Sequence, residues 1–148
     1  MSYVKLDNEL YYGLHPSIVK PDFYVDYYVD LTESTEFPTW VCNGSIVLNF
    51  PIRDRKIPNS EQLADIIALN NIKHKTFYIF CKGGHGRSGT VAAILYGLKY
   101  NMNTNSTLKF ILKEWITQRD MNKISDKLKK IGSPQTNKQK QLIKTILH

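Results

Sequence analysis

The sequence predicts an α/β fold in which a central, largely parallel sheet is flanked by helices. Short apolar runs typical of strands alternate with segments of helical periodicity over residues 45–100. A glycine-rich turn follows the most apolar of these runs and opens a helix, which is where such sheets place ligand sites. The length of 148 residues suits one domain, so we predict a single domain over residues 1–148.

The predicted strands lie mostly in the first half of the chain. VKLDNELYYG (4–13) fits a short strand pair, and YVDYYVDLT (24–32) is rich in Tyr and Val. SIVLNF (45–50) is a further strand that a proline stops. TFYIF (76–80) is an apolar run bounded by polar residues and glycines, as in a buried central strand.

Five helices are predicted from the apolar spacing. Asn59 and Gln62 are three residues apart, the spacing of a capping box, and they predict where the first helix begins. SGTVAAILYGLKY (88–100) has few polar residues on any side, so we expect a buried helix. The remaining helices are predicted at residues 106–118, 122–131 and 136–147.

The formal net charge of +7 is unevenly spread. Residues 1–36 carry seven acids against two lysines, whereas residues 121–148 carry seven lysines against one aspartate. A basic region favours anionic partners, although a solvated lysine face explains the C-terminal segment equally well. No stretch approaches the roughly 20 apolar residues of a transmembrane helix. We therefore expect an intracellular, cytoplasmic protein that is not transmembrane.

The segment FYIFCKGGHGRSGT (77–90) contains two overlapping phosphate-binding patterns. Gly84, Gly86 and Gly89 fit the G-x-G-x-x-G fingerprint of dinucleotide sites. That fingerprint needs an acidic residue about 20 positions further on, to bind the ribose. The next acid after these glycines is Glu114, which lies in a later predicted helix. The dinucleotide interpretation is therefore the weaker of the two.

Cys81 and Arg87, with five residues between them, fit the C-x5-R loop of cysteine phosphatases. The amides of the turn would surround a phosphate, and Arg87 would bind two of its oxygens. The same positive field favours the nucleophilic thiolate of Cys81. Ser88 is expected to donate a hydrogen bond to the sulfur when it leaves. The other expected substrate-binding residues are Lys82, Gly83, Gly84, His85 and Gly86. The glycines of this turn permit positive φ and a close approach of the anion.

CKGGHGRSGT (81–90) resembles the signature loop of the protein tyrosine and dual-specificity phosphatases. ELYYG (9–13) is similar to the first strand of that family, and FPIRDRKIP (50–58) to the segment that carries its general acid. The short chain suits the compact dual-specificity type. The resemblance implies a dual-specificity-phosphatase-like fold and one phosphatase domain over residues 1–148. It implies no cofactor and no metal, because the arginine and the amides neutralise the phosphate.

The resemblance also makes Asp54 the general acid and base. The leaving oxygen must be protonated when Cys81 attacks phosphorus, and a carboxylic acid can supply that proton. Asp54 lies in a loop flanked by prolines, so we expect it to be exposed. The competing acids are Asp30 on a strand and Asp65 on a helix.

QTNKQ (135–139) resembles the loop with which tyrosine-specific phosphatases orient the hydrolytic water. Gln135 or Gln139 is therefore a candidate for that role. The alternative is a helix cap at Thr136 or Asn137 followed by surface glutamines.

Phe80 departs from the family pattern, which has a histidine before the cysteine. That histidine helps to fix the loop, so its absence keeps open the hypothesis of a phosphate-binding pseudophosphatase. The intact loop and Asp54 favour an active enzyme. A reduced compartment fits the two cysteines, although a regulatory disulfide between Cys42 and Cys81 stays open.

Protein phosphotyrosine and phosphoserine or phosphothreonine are the expected substrates. The basic residues around the loop also suit a strongly anionic substrate, so a phosphoinositide or an RNA 5′-phosphate is the alternative. The residues that motivate this alternative are Lys82, His85, Arg53, Arg55 and Lys56. A stable complex with nucleic acid is not expected.

Overall fold

The computed structural model describes residues 2–18, 20–34 and 44–148. Five strands form one sheet, and their bounds are β1 Tyr3–Lys5, β2 Leu10–Gly13, β3 Tyr27–Asp30, β4 Ile46–Asn49 and β5 Phe77–Phe80. The sheet order is β1-β2-β5-β3-β4, with β1 antiparallel to β2 and every other pairing parallel. The prediction of a largely parallel sheet that begins with a short strand pair is confirmed.

Five α-helices follow or interrupt the strands in the part of the chain that the structure describes. Their bounds are α1 Ser60–Ala68, α2 Arg87–Lys99, α3 Thr104–Gln118, α4 Asp126–Ile131 and α5 Asn137–Leu147. The predicted capping box at the start of α1 is confirmed, since the Asn59 side chain accepts from the Gln62 amide and Gln62 bonds back. The helix predicted over residues 122–131 is wrong in its first turn. Met121–Lys123 forms a separate 3₁₀ turn, and Ser125 caps a shorter α4.

The position of β5 at the centre of the sheet determines where the motif loop lies. All four residues of β5 are buried, because β2 and β3 pair with it on both sides. Phe77 and Ile79 pack into the helix-covered core, whereas Tyr78 and Phe80 join an aromatic cluster on the other face. The alternation follows from the two-residue period of a strand. Cys81 therefore emerges on the helix-covered face, directly ahead of α2.

The helix α2 is buried along most of its length, as its sequence predicts. Small residues at Ala92 and Ala93 let it pack closely against the sheet, and Val91 and Ile94 are fully buried. No helix among the described ranges is both long enough and apolar enough to cross a bilayer. Cys42 lies outside the described residues, so the disulfide hypothesis stays a prediction.

Candidate active site

The motif loop connects the end of β5 to the first turn of α2. Gly84 adopts a positive φ of 72°, and a Cβ built there would lie 2.6 Å from the carbonyl carbon of Gly13. Gly83 and Gly86 also permit positive φ but do not adopt it. Gly86 lies against the C-terminal segment, since a Cβ there would lie 2.9 Å from Gln135 Oε1, the far end of that side chain. Gly84 is therefore the position of the loop at which both the backbone conformation and the neighbouring backbone favour glycine.

Cys81 and Ser88 face each other across the base of this loop. The Cys81 thiol donates to Ser88 Oγ at 3.2 Å, and both residues are buried. Ser88 lies in the first turn of α2, so the helix holds its hydroxyl rigidly beside the sulfur. When the sulfur is a thiolate, the same pair can reverse, with the hydroxyl donating to sulfur.

Arg87 is buried and connects three segments of the chain. Its Nη1 donates to the carbonyl oxygens of Ile52 at 2.8 Å and of Leu31 at 3.5 Å. Its Nη2 lies 3.7 Å from Asp54 Oδ1. Its Nε is buried and has no hydrogen-bond partner among the described residues. Buried donors nearly always have a hydrogen-bond partner, so the unpartnered Nε indicates a place for one. Nε and Nη2 are therefore available for an oxygen ligand.

Asp54 lies at the tip of a tight turn that follows β4. The Lys56 amide donates to the Arg53 carbonyl at 3.0 Å, and Arg55 adopts a positive φ of 68° between them. The Asp54 side chain is 74% exposed, as expected, yet its carboxylate approaches the guanidinium of Arg87. The turn thus holds an exposed acid beside the motif loop.

The competing acids lie elsewhere. Asp30 is fully buried, and its Oδ1 accepts from both the amide and the hydroxyl of Thr32. Burial raises the pKa of Asp30, and hydrogen bonds from Thr32 oppose that rise. Asp30 pairs with Phe80 in the sheet register, which puts the two side chains on the face opposite to Cys81. Asp65 is exposed on α1.

His85 does not contribute the positive charge that the sequence suggested. Its Nδ1 accepts a hydrogen bond from Trp115 Nε1 at 3.0 Å, and the two rings meet edge to face. Burial, with a smaller contribution from the charge of Arg119, lowers the pKa of His85 to about 4. The imidazole is therefore neutral at pH 7, and the expectation of a cationic His85 is wrong. Lys82, in contrast, is exposed and free to meet a substrate.

Two buried residues that the sequence did not single out support the loop. Arg119, at the end of α3, donates from Nη1 to the Gly84 carbonyl at 3.0 Å. Ser133 donates to the His85 carbonyl at 2.6 Å and accepts from the Tyr12 hydroxyl at 3.1 Å. Loop carbonyls must be turned away from an anion, and these donors hold them there.

The QTNKQ segment lies against the motif loop. Thr136 caps α5, which agrees with the alternative interpretation. The prediction of surface glutamines is wrong, because Gln139 is fully buried and its Oε1 accepts from the amides of Gln135 and Thr136. Its Nε2 donates to the Lys56 carbonyl at 3.3 Å, and it lies close to Gly86. The segment thus links the motif loop to the turn that carries the acid.

Phe80 packs among aromatic rings in the place where the family has histidine. Its ring lies edge to face with His15, with a centroid distance of 5.0 Å, and belongs to a cluster with Tyr28 and Tyr78. A phenyl ring donates no hydrogen bond to the loop. The hydrogen bonds to the loop carbonyls come instead from Arg119 and Ser133.

Comparison with known proteins identifies the family. The PTP-SAK family, described as the Swiss Army Knife protein, DSP-PTPase phosphatase domain, matches residues 22–143. The chain belongs to this DSP-PTPase family. The resemblance that the motif loop suggested is therefore confirmed, and with it the class of cysteine-dependent phosphatases of the dual-specificity and tyrosine type.

Individual relatives agree with this DSP-PTPase assignment. The protein named Putative tyrosine phosphatase 197R, of Invertebrate iridescent virus 6, is 35% identical over 95 residues. The match covers 57% of this chain and 36% of the viral protein, so the chain spans little more than a third of that relative. The chain is also similar to Tk-PTP, whose mutant form has a crystal structure, with 25% sequence identity and a TM-score of 0.73. This similarity covers 98% of this chain and 93% of Tk-PTP.

A third similarity concerns the fold alone. PTPMT1, whose crystal structure is in complex with PI(5)P, is 16% identical with a TM-score of 0.71. The similarity covers 99% of this chain and 94% of PTPMT1. The sheet and its flanking helices thus have the same architecture as PTPMT1.

Proposed function

We propose that this DSP-PTPase chain hydrolyses phosphotyrosine and/or phosphoserine and phosphothreonine in proteins, through a phosphocysteine intermediate. One observation carries the proposal. Arg87 reaches from the motif loop to Asp54, 3.7 Å away, while its buried Nε has no partner among the described residues. A phosphate bound by Nε and Nη2 would lie between the Cys81 sulfur and the carboxyl of Asp54. Nucleophile and acid would then address opposite sides of phosphorus.

In the first step the Cys81 thiolate attacks phosphorus, and the bond from phosphorus to the leaving oxygen breaks. Asp54 donates its proton to that oxygen, so that a neutral alcohol or phenol leaves. The amides of residues 82–87 and the guanidinium of Arg87 stabilise the charge on the transferring phosphoryl group. An exposed acid suits this role because it must meet a substrate that enters from solvent.

In the second step water attacks phosphorus, and the bond from phosphorus to sulfur breaks. The Asp54 carboxylate takes the proton of the water, and Ser88 donates a hydrogen bond to the departing thiolate. Gln135 approaches Gly86 with its Oε1 and is the better candidate for holding the water. Gln139 is occupied by the cap of α5 and by the Lys56 carbonyl, so its role is to position the acid turn.

A phosphoinositide is the second candidate substrate. Lys82 in the motif loop and Arg53, Arg55 and Lys56 in the turn that carries Asp54 are exposed basic residues, and PTPMT1, of similar fold, was crystallised with PI(5)P. Neutral His85 removes one of the charges that this alternative would use, which favours the protein substrate. A cysteine nucleophile needs a reducing compartment, so we propose that the enzyme acts in the cytoplasm.

The test compares hydrolysis of two aryl phosphates, one with a good and one with a poor leaving group, in EDTA. Cys81→Ser should abolish turnover of both. Asp54→Asn should lower kcat/KM, which reports the step in which the leaving oxygen departs, by roughly 10²–10⁴-fold, the range of general acid catalysis, with the larger loss for the poor leaving group. Asp65→Asn is the matched control, since it removes an exposed carboxylate that lies on α1.

Three results would contradict the proposal: turnover in Cys81→Ser, equal losses for the two leaving groups in Asp54→Asn, or an equal loss in Asp65→Asn. Phosphate or vanadate binding by a wild-type protein without turnover would instead support the pseudophosphatase. The substrate class follows from kcat/KM for phosphotyrosine peptides, phosphoserine peptides and a water-soluble phosphoinositide. A preference for the phosphoinositide would favour the second candidate.

A further inference from the structure

A cavity lies at the end of the sheet opposite to the Cys81 loop. Its volume is about 250 Å³. The first residues of β2 and β5, Leu10 and Phe77, are register partners and line it together. Cys81 comes four residues after Phe77, and a strand rises about 3.3 Å per residue, so roughly 13 Å of chain separates the cavity from the nucleophile. The two sites are therefore distinct.

The interior of the cavity is apolar. The side chains that form it are Leu10, Leu69, Ile72, Phe77 and Leu95. Four of them are buried residues of the main core, and Ile72 packs against that core. The floor thus belongs to the rigid part of the molecule. A surface of this kind gains free energy when an apolar group replaces water.

The rim of the cavity is basic. Lys73, His74 and Lys75 are three successive residues that all line it, and the chain bends at His74, where φ is 61°. Lys73 and Lys75 are exposed and form no ion pair within the ranges that the structure describes. Their charges are therefore available to a ligand.

The third lysine of the rim is already compensated. Lys99 Nζ lies 2.7 Å from Asp7 Oδ2 and 3.4 Å from Glu9 Oε1. These carboxylates raise the pKa of Lys99 despite its partial burial. Glu9 is the one acidic side chain among the described lining residues, and it shares the single ammonium of Lys99 with Asp7. The three lysines therefore exceed the two carboxylates by one charge, and Lys73 and Lys75 are the lysines with no acidic partner among the described residues.

We propose that this cavity binds a small amphipathic anion, namely a monocarboxylate with an apolar chain or ring of about eight carbon atoms. An apolar cavity of about 150 Å³ holds a benzene molecule. The larger volume here has room for a ring or a short chain. The carboxylate would remain at the mouth, between the ammonium groups of Lys73 and Lys75, where it keeps part of its hydration. A cation of the same shape would be repelled there.

The test uses amide NMR spectra of the full chain in excess inorganic phosphate, which occupies the Cys81 loop. Octanoate, octan-1-ol and octylamine are titrated separately, since they share a chain length and differ in charge. Octanoate should shift the amides of residues 69–75 and 95–99 and bind at least about tenfold more tightly than octylamine. Binding is read in wild type and in Cys81→Ser, so the result does not depend on turnover.

Matched charge-reversal variants complete the test. The double variant with Lys73→Glu and Lys75→Glu should weaken the binding of octanoate by at least about tenfold. Lys109→Glu combined with Lys113→Glu changes the net charge equally on the exposed side of α3 and should leave the affinity unchanged. Ile72→Trp fills the cavity and should abolish binding of octanoate and octan-1-ol alike.

Four outcomes would overturn the proposal. They are shifts confined to residues 81–88, equal affinities for the three ligands, equal weakening in both double variants, and no binding up to the solubility limit of octanoate. The last outcome would mean that the cavity is a packing defect beneath solvated lysines. None of these outcomes bears on the phosphatase activity, which depends on the opposite end of the sheet.

Discussion

Acid should destabilise this protein through a single histidine in its motif loop. His85 Nδ1 accepts a hydrogen bond from Trp115 Nε1, which requires an unprotonated nitrogen. Protonation would break that bond and put a cation near Arg119, in a site that already disfavours charge by burial. The folded chain therefore resists a proton that the unfolded chain accepts.

The size and sign of the effect follow from linkage. The pKa of His85 falls from its ordinary value of 6.5 to about 4 on folding. Between these pH values the unfolded state binds more protons, so the free energy of unfolding decreases as the pH falls. Each pKa unit corresponds to about 1.4 kcal/mol, so the loss attributable to His85 is about 3 kcal/mol. It begins near pH 6.5 and is complete near pH 4.

Urea unfolding of wild type and His85→Gln across this pH range isolates the contribution. Glutamine can still accept from Trp115 but does not titrate, so the difference between the two free energies of unfolding should change by about 3 kcal/mol. A parallel series on His74→Asn, at an exposed histidine, controls for the loss of a histidine as such. A difference that stays constant with pH, or an NMR titration of His85 above about pH 6, would refute the reasoning.

Two further substitutions test the groups that hold the motif loop. Arg119→Met should lower the free energy of unfolding by about 1–3 kcal/mol in urea titrations, because it leaves the buried Gly84 carbonyl unpaired. The same variant should bind vanadate more weakly. An unchanged free energy of unfolding would contradict the supporting role of Arg119. Gly89→Ala should cost about 1–3 kcal/mol by overpacking, since its Cβ would lie 2.3 Å from Ser133 Oγ. In a double-mutant cycle, Ser133→Ala should remove most of the destabilisation caused by Gly89→Ala, although it leaves the His85 carbonyl without its donor. If the losses of the two variants simply add, the contact between the new Cβ and Ser133 Oγ is unimportant.

The residues that we propose to lie closest to the reaction were predictable because they are close in sequence. Cys81, Arg87 and Ser88 belong to one turn between a strand and a helix, so their type and spacing determine their relative positions. The turn that carries Asp54 was predictable only through the family resemblance. Nothing in its local pattern separates it from an ordinary solvated aspartate, and its approach to Arg87 is a property of the folded sheet.

The supporting residues could not be predicted, because each reaches the loop from a distant part of the chain. Arg119 and Trp115 come from the end of α3, and Ser133 comes from the segment between α4 and α5. A basic residue at a helix C-terminus has an ordinary explanation in the helix dipole, so Arg119 gives no signal of its own. The neutrality of His85 is hidden from the sequence for the same reason, since its pKa is lowered by burial in the folded chain and by the charge of Arg119, which comes from the end of α3.

The buried position of Arg87 explains how its guanidinium stays directed at the phosphate site that we propose. The guanidinium is fixed by the Ile52 and Leu31 carbonyls, which belong to the segments that follow β4 and β3. These neutral acceptors occupy Nη1 alone and leave the side that faces Asp54 available. The ion pair with Asp54 is long, at 3.7 Å, and the carboxylate is exposed, so little free energy opposes its replacement by phosphate. A substrate phosphate would thus displace the carboxylate by a short movement and leave the acid beside the leaving oxygen.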